Sequence, residues 1–334
     1  MPGATALRVC QVGKETVYGT SVAATAVLMG LTGMSFGPDY ANSQRRWLQG
    51  NYAPAHATVQ TDKRGHAAVN GDFLFEDFPF YGNKGIKGGV AGAVIDTSGY
   101  TWTFPFPLTA SPALESATWE FYDGSQEYEL PGGLVESFSL SGDATPEGVV
   151  QFGAKILSLD CVKSTVTGAL STRTVETLPC GMCQLYVDAI GGTVGSTIKA
   201  DTLISWKLDY DNGAHLKKFM TGSLSPSAKG YNVPSVKLAM TCEFNAASIA
   251  EVDAYLANTG RLYRIKGLGT LAGASTAYKT LQIDIAGDVD VNDMWSDRDG
   301  NTTVDFTVKA RYDTGAFANY GQIVVINKST TMPA

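Results

Sequence analysis

The sequence predicts a mainly β protein: two β-sandwich domains in pseudo-duplication, each with a short flanking helix. Three observations predict it. Only 17% of the 334 residues are charged and 37 are Gly, against about 25% charged and about 7% Gly in an average protein, a balance that favours strands and turns over long surface helices. Several segments alternate apolar and polar residues with the period of two that a half-buried strand requires. An order of strand, helix and further strands, plain in the second half, returns faintly in the first. The divisions that follow are an N-terminal arm at 1–51, a first sandwich at 52–164, a linker or insertion at 165–200 and a second sandwich at 201–334.

The arm is rich in Gly, Ala and Thr and shows no clear strand alternation after Thr20, so it is expected to order against a partner. In the first sandwich, 58–61 reads as a strand and 73–81 as a short helix damaged by Pro79. Strands follow at 100–104, 117–122, 134–140 and 149–157. Residues 165–177, rich in Ser and Thr with little apolar periodicity, mark the linker.

In the second sandwich, 202–211 sets Ile204, Trp206, Leu208 and Tyr210 on one face and Leu203, Ser205, Lys207 and Asp209 on the other. Val236, Leu238, Met240, Cys242 and Phe244 repeat the pattern, as do Val304, Phe306, Val308 and Ala310. Each strand has one wet face, the habit of antiparallel sheets. Between them Ser248 and Glu251 have the spacing of a capping box, Ile249, Val252, Tyr255 and Leu256 form one apolar stripe, and Gly260 stops the helix. Strands at 262–265, 281–285 and 323–326 complete the domain.

A formal charge of −7 and a pI near 5.0 exclude a protein that holds nucleic acid by neutralising phosphates, which needs a basic surface. The apolar run at 22–31 is too short to span a bilayer and follows no basic segment with a cleavage site. The expectation is a soluble, unprocessed chain with no membrane insertion. Five cysteines spread over more than two hundred positions make no disulfide framework, so the expected compartment is reducing.

Few residues point to chemistry. Cys180 and Cys183 have the spacing of a zinc or thiol-exchange motif, but no second such pair and no nearby His completes it. His56, His66 and His215 form no metal-ligand or nucleophile-and-base pattern. Neither catalytic, cofactor-binding nor metal residues are assigned. The stretch from Asp284 to Asp299 holds Asp288, Asp290, Asp293, Asp297 and Asp299 with only Arg298 to oppose them. A calcium loop would place an Asp at Trp295 and a Glu at Phe306, so the expectation is an acidic loop between strands, directed at solvent, at a neighbouring subunit or at a channel.

At Gly13-Lys14-Glu15-Thr16-Val17-Tyr18-Gly19-Thr20, followed by Ala23 and Ala24, the sequence resembles the opening of the tail tube proteins of long-tailed, non-contractile phages. The C-terminal order of 281–284, the acidic stretch, Asp299-Gly300, 304–312 and 323–327 is similar to that family as well. The resemblance implies tail-tube-like β-sandwiches assembled into stacked rings around a hollow bore, in a virion tail built in the host bacterial cytoplasm. DNA passes through the bore, and no cofactor is implied. Partners implied are a tape measure protein, a tail terminator and a distal tail protein. Two domains per chain would make a ring of three copies a pseudo-hexamer, favoured over a hexamer.

Ring formation also has a physical logic: exposed strand edges recruit other strands, and joining them around an axis leaves none free. An acidic wall would repel phosphates and let DNA slip. Contacts between rings or subunits are expected from Glu15, Thr16, Tyr18, Gly19 and Thr20, and from Asp288, Asp290, Asp293, Trp295, Asp297 and Asp299. Deletion of 288–300 should then leave a folded subunit that does not polymerise. A monomeric β-sandwich adhesin or carbohydrate-binding module is the competing reading, since it would share the composition and the aromatic content.

Overall fold

Alternation builds most of the chain into antiparallel strands, which take up 50% of it against 7% for helix in a computed structural model that describes residues 5–168 and 170–333. The first run of elements is β1 (Val9–Lys14), β2 (Ala26–Val27), β3 (Leu31–Pro38), β4 (Ala41–Arg45), β5 (Ala57–Asp62), β6 (Gly65–Asp72), α1 (Phe78–Gly85), β7 (Ala93–Val94), β8 (Tyr100–Pro105), β9 (Ala117–Tyr122), β10 (Glu127–Asp143), β11 (Gln151–Ser158) and β12 (Val162–Ser164). The second is β13 (Cys183–Ala189), β14 (Leu203–Asp211), β15 (Ala214–Lys217), β16 (Ala228–Tyr231), β17 (Ser235–Glu243), α2 (Ala246–Leu256), β18 (Arg261–Leu271), β19 (Tyr278–Arg298), β20 (Asn301–Ala310) and β21 (Gly321–Asn327).

The two runs pair their strands alike. β1 lies on β9 as β13 lies on β18, and β3 lies on β6 as β14 lies on β17. β6 joins β11 as β17 joins β20. β9, β11 and β12 border β10 as β18, β20 and β21 border β19. The hairpins β4–β5 and β15–β16 are inserted at the same point of each run.

β10 and β19, 17 and 21 residues long, each serve two layers. β10 changes partners around Gly132 and Gly133, and β19 at Gly287. The later halves of both strands lie in one layer of eight strands, β3–β6–β11–β10–β14–β17–β20–β19, that crosses both runs. The earlier halves belong to β12–β10–β9–β1–β2 and to β13–β18–β19–β21–β8–β7. A single apolar cluster, with Trp119, Phe78, Phe138, Tyr210, Phe306 and Ile283 among its members, runs through both runs.

Several expectations need correction. The supposed arm supplies β1, which is registered along its whole length with β9, and β3 of the eight-stranded layer. The supposed linker supplies β13, and Arg173 within it pairs with buried Asp77 at 2.6 Å. The runs also interleave: β8 pairs with β21, and the Trp102 indole donates to Asn327. Local alternation could not reveal these segments, because their partners lie far away in sequence.

The helices are shifted as well. Pro79 sits in the first turn of α1, where a missing N–H costs nothing, so it begins the helix. The N-cap of α2 is Asn245, whose side chain accepts from Ala247 and Ser248 while the Ser248 hydroxyl accepts from the Asn245 N–H. The expected stripe is mostly outside: Ile249, Tyr255 and Leu256 are 41%, 44% and 75% exposed. Glu251 turns inward instead, accepting from the Tyr263 hydroxyl at 3.0 Å and facing Arg261. The chain reverses at Asn258, which has a φ of 49°, before Gly260 is reached. Among the described residues no helix is long and apolar enough to cross a membrane.

One buried acid gives a pH test. Glu127 is 2% exposed and neither carboxylate oxygen has a hydrogen-bond partner. Burial, then Glu120 and Glu129, pushes its pKa up to about 7 from 4.5. Between those values the folded chain binds more protons than the unfolded one, so this group's contribution to stability falls as pH rises from about 4.5 to about 7. Glu127→Gln is expected to melt higher than wild type at pH 8 and to lose that part of the slope in melts from pH 5 to pH 8. An unchanged slope would refute it.

Candidate assembly interface

The eight-stranded layer has one dry and one wet face because its strands alternate. Val69, Ala154, Phe138, Leu208, Leu238, Val308 and Val289 point into the core. The wet face intersperses Lys155, Lys207, Lys237 and Lys309 with Asp72, Asp143, Asp209, Asp211, Asp288, Asp290 and Asp305, and Arg298 and Arg311 pair with Asp143 and Asp288, so it is mixed in charge with carboxylates in modest excess. Ser137, Ser139, Ser141, Ser205 and Ser235 fill much of the rest. A groove lined by Asn70, Ser139, Lys155, Lys207, Asp209 and Lys237 crosses strands of both runs.

Within this layer the runs meet edge to edge. β10 pairs with β14 from Ser137↔Asp211 to Asp143↔Ser205, with Phe138 beside Tyr210 and Leu140 beside Leu208 on the dry side. The equivalent strands, β19 and β3, end the layer. Among the described residues, β3 pairs only with β6, and 288–298 of β19 pair only with β20. Both ends carry half-buried apolar side chains on the dry side, Met34 and Phe36 on β3 and Val291 on β19. Sequence reasoning missed β3 because Gly33 and Gly37 break its apolar run.

The motif near the N-terminus lies elsewhere. Glu15 is 5% exposed, and its carboxylate accepts from the Gly19 N–H at 2.9 Å, the Thr118 hydroxyl at 2.9 Å and the Gly132 N–H at 2.7 Å. It clips the turn after β1 to the bend of β10. Gly19 and Gly132 have φ of 76° and 66° and both press on Leu159, where a Cβ would collide. The Glu15 carboxylate, expected to face a neighbouring ring, is thus spent on bonds inside the subunit. Tyr18 and Gly19 are half-buried, with the Lys229 ammonium 5.0 Å from the centre of the Tyr18 ring, while Thr16 and Thr20 face solvent. Glu15→Ala should cost about 2–3 kcal/mol by stranding buried donors, read as a lower urea midpoint; a midpoint equal to wild type would contradict the clip.

The acidic stretch is no loop. It is the projecting end of the β19–β20 hairpin, closed by Asp299 and Gly300 with φ of 55° and 81°, the paired positive values of a type I′ turn. Two of its charges are opposed from β20 and the residue after it, where Lys309 pairs with Asp290 and Arg311 holds Asp288 at 2.8 Å, while its own Arg298 reaches away to Asp143 on β10. The Asp293 carboxylate accepts from the Trp295 N–H, and Asp293, Trp295, Asp297 and Asp299 are exposed. Deleting 288–300 would also remove Val289, which is 3% exposed, so folding would suffer together with assembly. Among the described residues no hydrogen bond or ion pair joins the Glu15 turn to this hairpin.

Cys180 is buried and Cys183 half-buried, and burial pushes the Cys183 thiol up to about 12, away from the thiolate that thiol exchange needs. Comparison with protein-family models and with curated proteins finds no match for this chain.

Proposed function

We propose that the chain is a structural subunit that joins copies of itself edge to edge into rings, stacked as the tail tube of a long-tailed, non-contractile phage. The observation that carries this reading is the β10–β14 junction within the chain and the outer edges of its equivalents, 288–298 of β19 and β3, which have no neighbouring strand among the described residues. A second copy offering β3 to β19 repeats, between molecules, a joint that the molecule already contains. Registers that keep Met34 and Phe36 on the side of Val289 and Val291 bury both apolar sets, whereas a one-residue slip exposes them. The unpaired edge becomes the bond.

Size supports the reading. Three copies contribute six repeats and three eight-stranded layers, a circumference of about 115 Å at about 4.8 Å per strand. That is about 37 Å across between backbones before strand tilt widens it, and about 25 Å once side chains are allowed for. Duplex DNA, roughly 20 Å wide, passes such a bore. The wet face would line it, with its excess of carboxylates turned toward the phosphates and no net basic field to hold them.

Electron microscopy of the concentrated protein tests the proposal. Rings or hollow rods with a bore wide enough for duplex DNA are expected. A 35.4 kDa monomer at every concentration, or a bore too narrow for a duplex, would overturn it.

A further inference from the structure

The internal joint includes a hairpin as well as a pair of strands. β14 carries β15–β16 across onto the first repeat, where Asn212 donates to the Gly85 carbonyl at 2.9 Å and Lys229 donates to the Leu114 carbonyl. Ala214 packs with Leu114 and Leu134. The tip rests on the β5–β6 turn, where Lys218 pairs with Asp62 at 3.0 Å, and on the β11–β12 connection, where the Ser225 hydroxyl meets Asp160 at 3.4 Å. A basic hairpin thus sits on an acidic seat.

The hairpin at the equivalent point of the first repeat, β4–β5, exposes Trp47 (51%), Leu48 (107%) and Tyr52 (100%), more apolar surface than a hairpin leaves in water without a use. The three places equivalent to the occupied seat are bare and apolar on the second repeat. They are Leu256 before β18, Val233 in the β16–β17 turn at 89% exposure, and Tyr312 in the β20–β21 connection at 50%. Register keeps them on one end of the fold: β17 and β20 pair there through Lys237↔Lys309, and Arg311 holds Asp288 beside Gly260. Exposed Asp253 lies there, while Arg45 and Arg46 stand on the hairpin, an acid facing basic residues as in the internal joint.

We infer that the β4–β5 hairpin of one copy seats on the second repeat of the next, against Leu256, Val233 and Tyr312. This rests on the edge-to-edge reading above and adds a second surface to it. Trp47, Leu48 and Tyr52 supply apolar anchors, and the arginines face Asp253.

Two measurements test it. In a Cys183→Ser background, Leu48→Cys with Val233→Cys, treated with a short bismaleimide, should give covalent dimers and trimers in assembled material, and Leu48→Cys alone should not. Trp47→Ser, Leu48→Ser and Tyr52→Ser together should keep the wild-type urea midpoint and raise the concentration needed for rods at least tenfold. Rods that form at the wild-type concentration without these side chains, or rods with no covalent multimers, overturn the hairpin seat and leave the edge-to-edge reading standing. Absence of rods from the unaltered chain removes both.

Discussion

If copies join edge to edge as proposed, Met34→Lys is expected to leave the chain folded and unable to assemble, and Val291→Lys to do the same from the opposite end. Each side chain is half-buried on the dry side of a strand that, among the described residues, lacks an outer neighbour. In the free subunit the lysine stem can lie along the apolar surface with its ammonium in water, at a cost of about 1 kcal/mol. Once a second strand covers that edge the ammonium is trapped against apolar side chains, the inward-pointing charge that natural sheets use to stop edge pairing. The mixture is more telling than either variant. A Met34→Lys copy keeps an intact β19 edge and a Val291→Lys copy keeps an intact β3 edge, so the two together make one joint and stop at a dimer. Sedimentation velocity should show monomers for each variant alone and a dimer for the pair. Rods from either variant alone would sink the edge assignment.

The largest loss of stability is expected at Asp284. This carboxylate, 0% exposed, accepts from Arg264 Nε at 2.6 Å and Nη2 at 3.0 Å, and from the side-chain amides of Gln282 and Gln322 at 2.8 Å each. Arg264 and Gln322 are its register partners on β18 and β21, so a single acid ties three strands. Asp284→Ala leaves the guanidinium half-shielded and unpaired, which costs about 3–5 kcal/mol. With a urea slope of about 3 kcal/mol per molar, the midpoint should fall by at least about 1 M, and Asp284→Asn should fall between. A shift below about 0.3 M would mean that the cluster is not what holds these strands.

The sequence made legible what depends on neighbours along the chain. Alternation located β14, β17 and β20 to within a few residues, because each sets one face against the same core. It failed where burial is set from afar. The α2 stripe was misread because Glu251, a residue with no apolar signature, turns inward to meet Tyr263 and Arg261. Of the candidate site, the acidic stretch reads from sequence as a loop between strands, and its nature as a hairpin depends on the Asp299-Gly300 turn. Glu15 was chosen from a motif whose conspicuous residues proved to serve the bend of β10. The edge strand β3 carried no signal, since Gly33 and Gly37 replace side chains on its wet face.

The β10–β14 joint also bears on how a ring would be born. In a closed circle of three such chains, every second seam is held by the polypeptide itself and is present at any dilution. Only two encounters and a closure are then needed where six separate repeats would need five and a closure, which lowers the reaction order of nucleation. The finished ring would have alternating tough and breakable seams, so a tube forced open sideways should part along three lines.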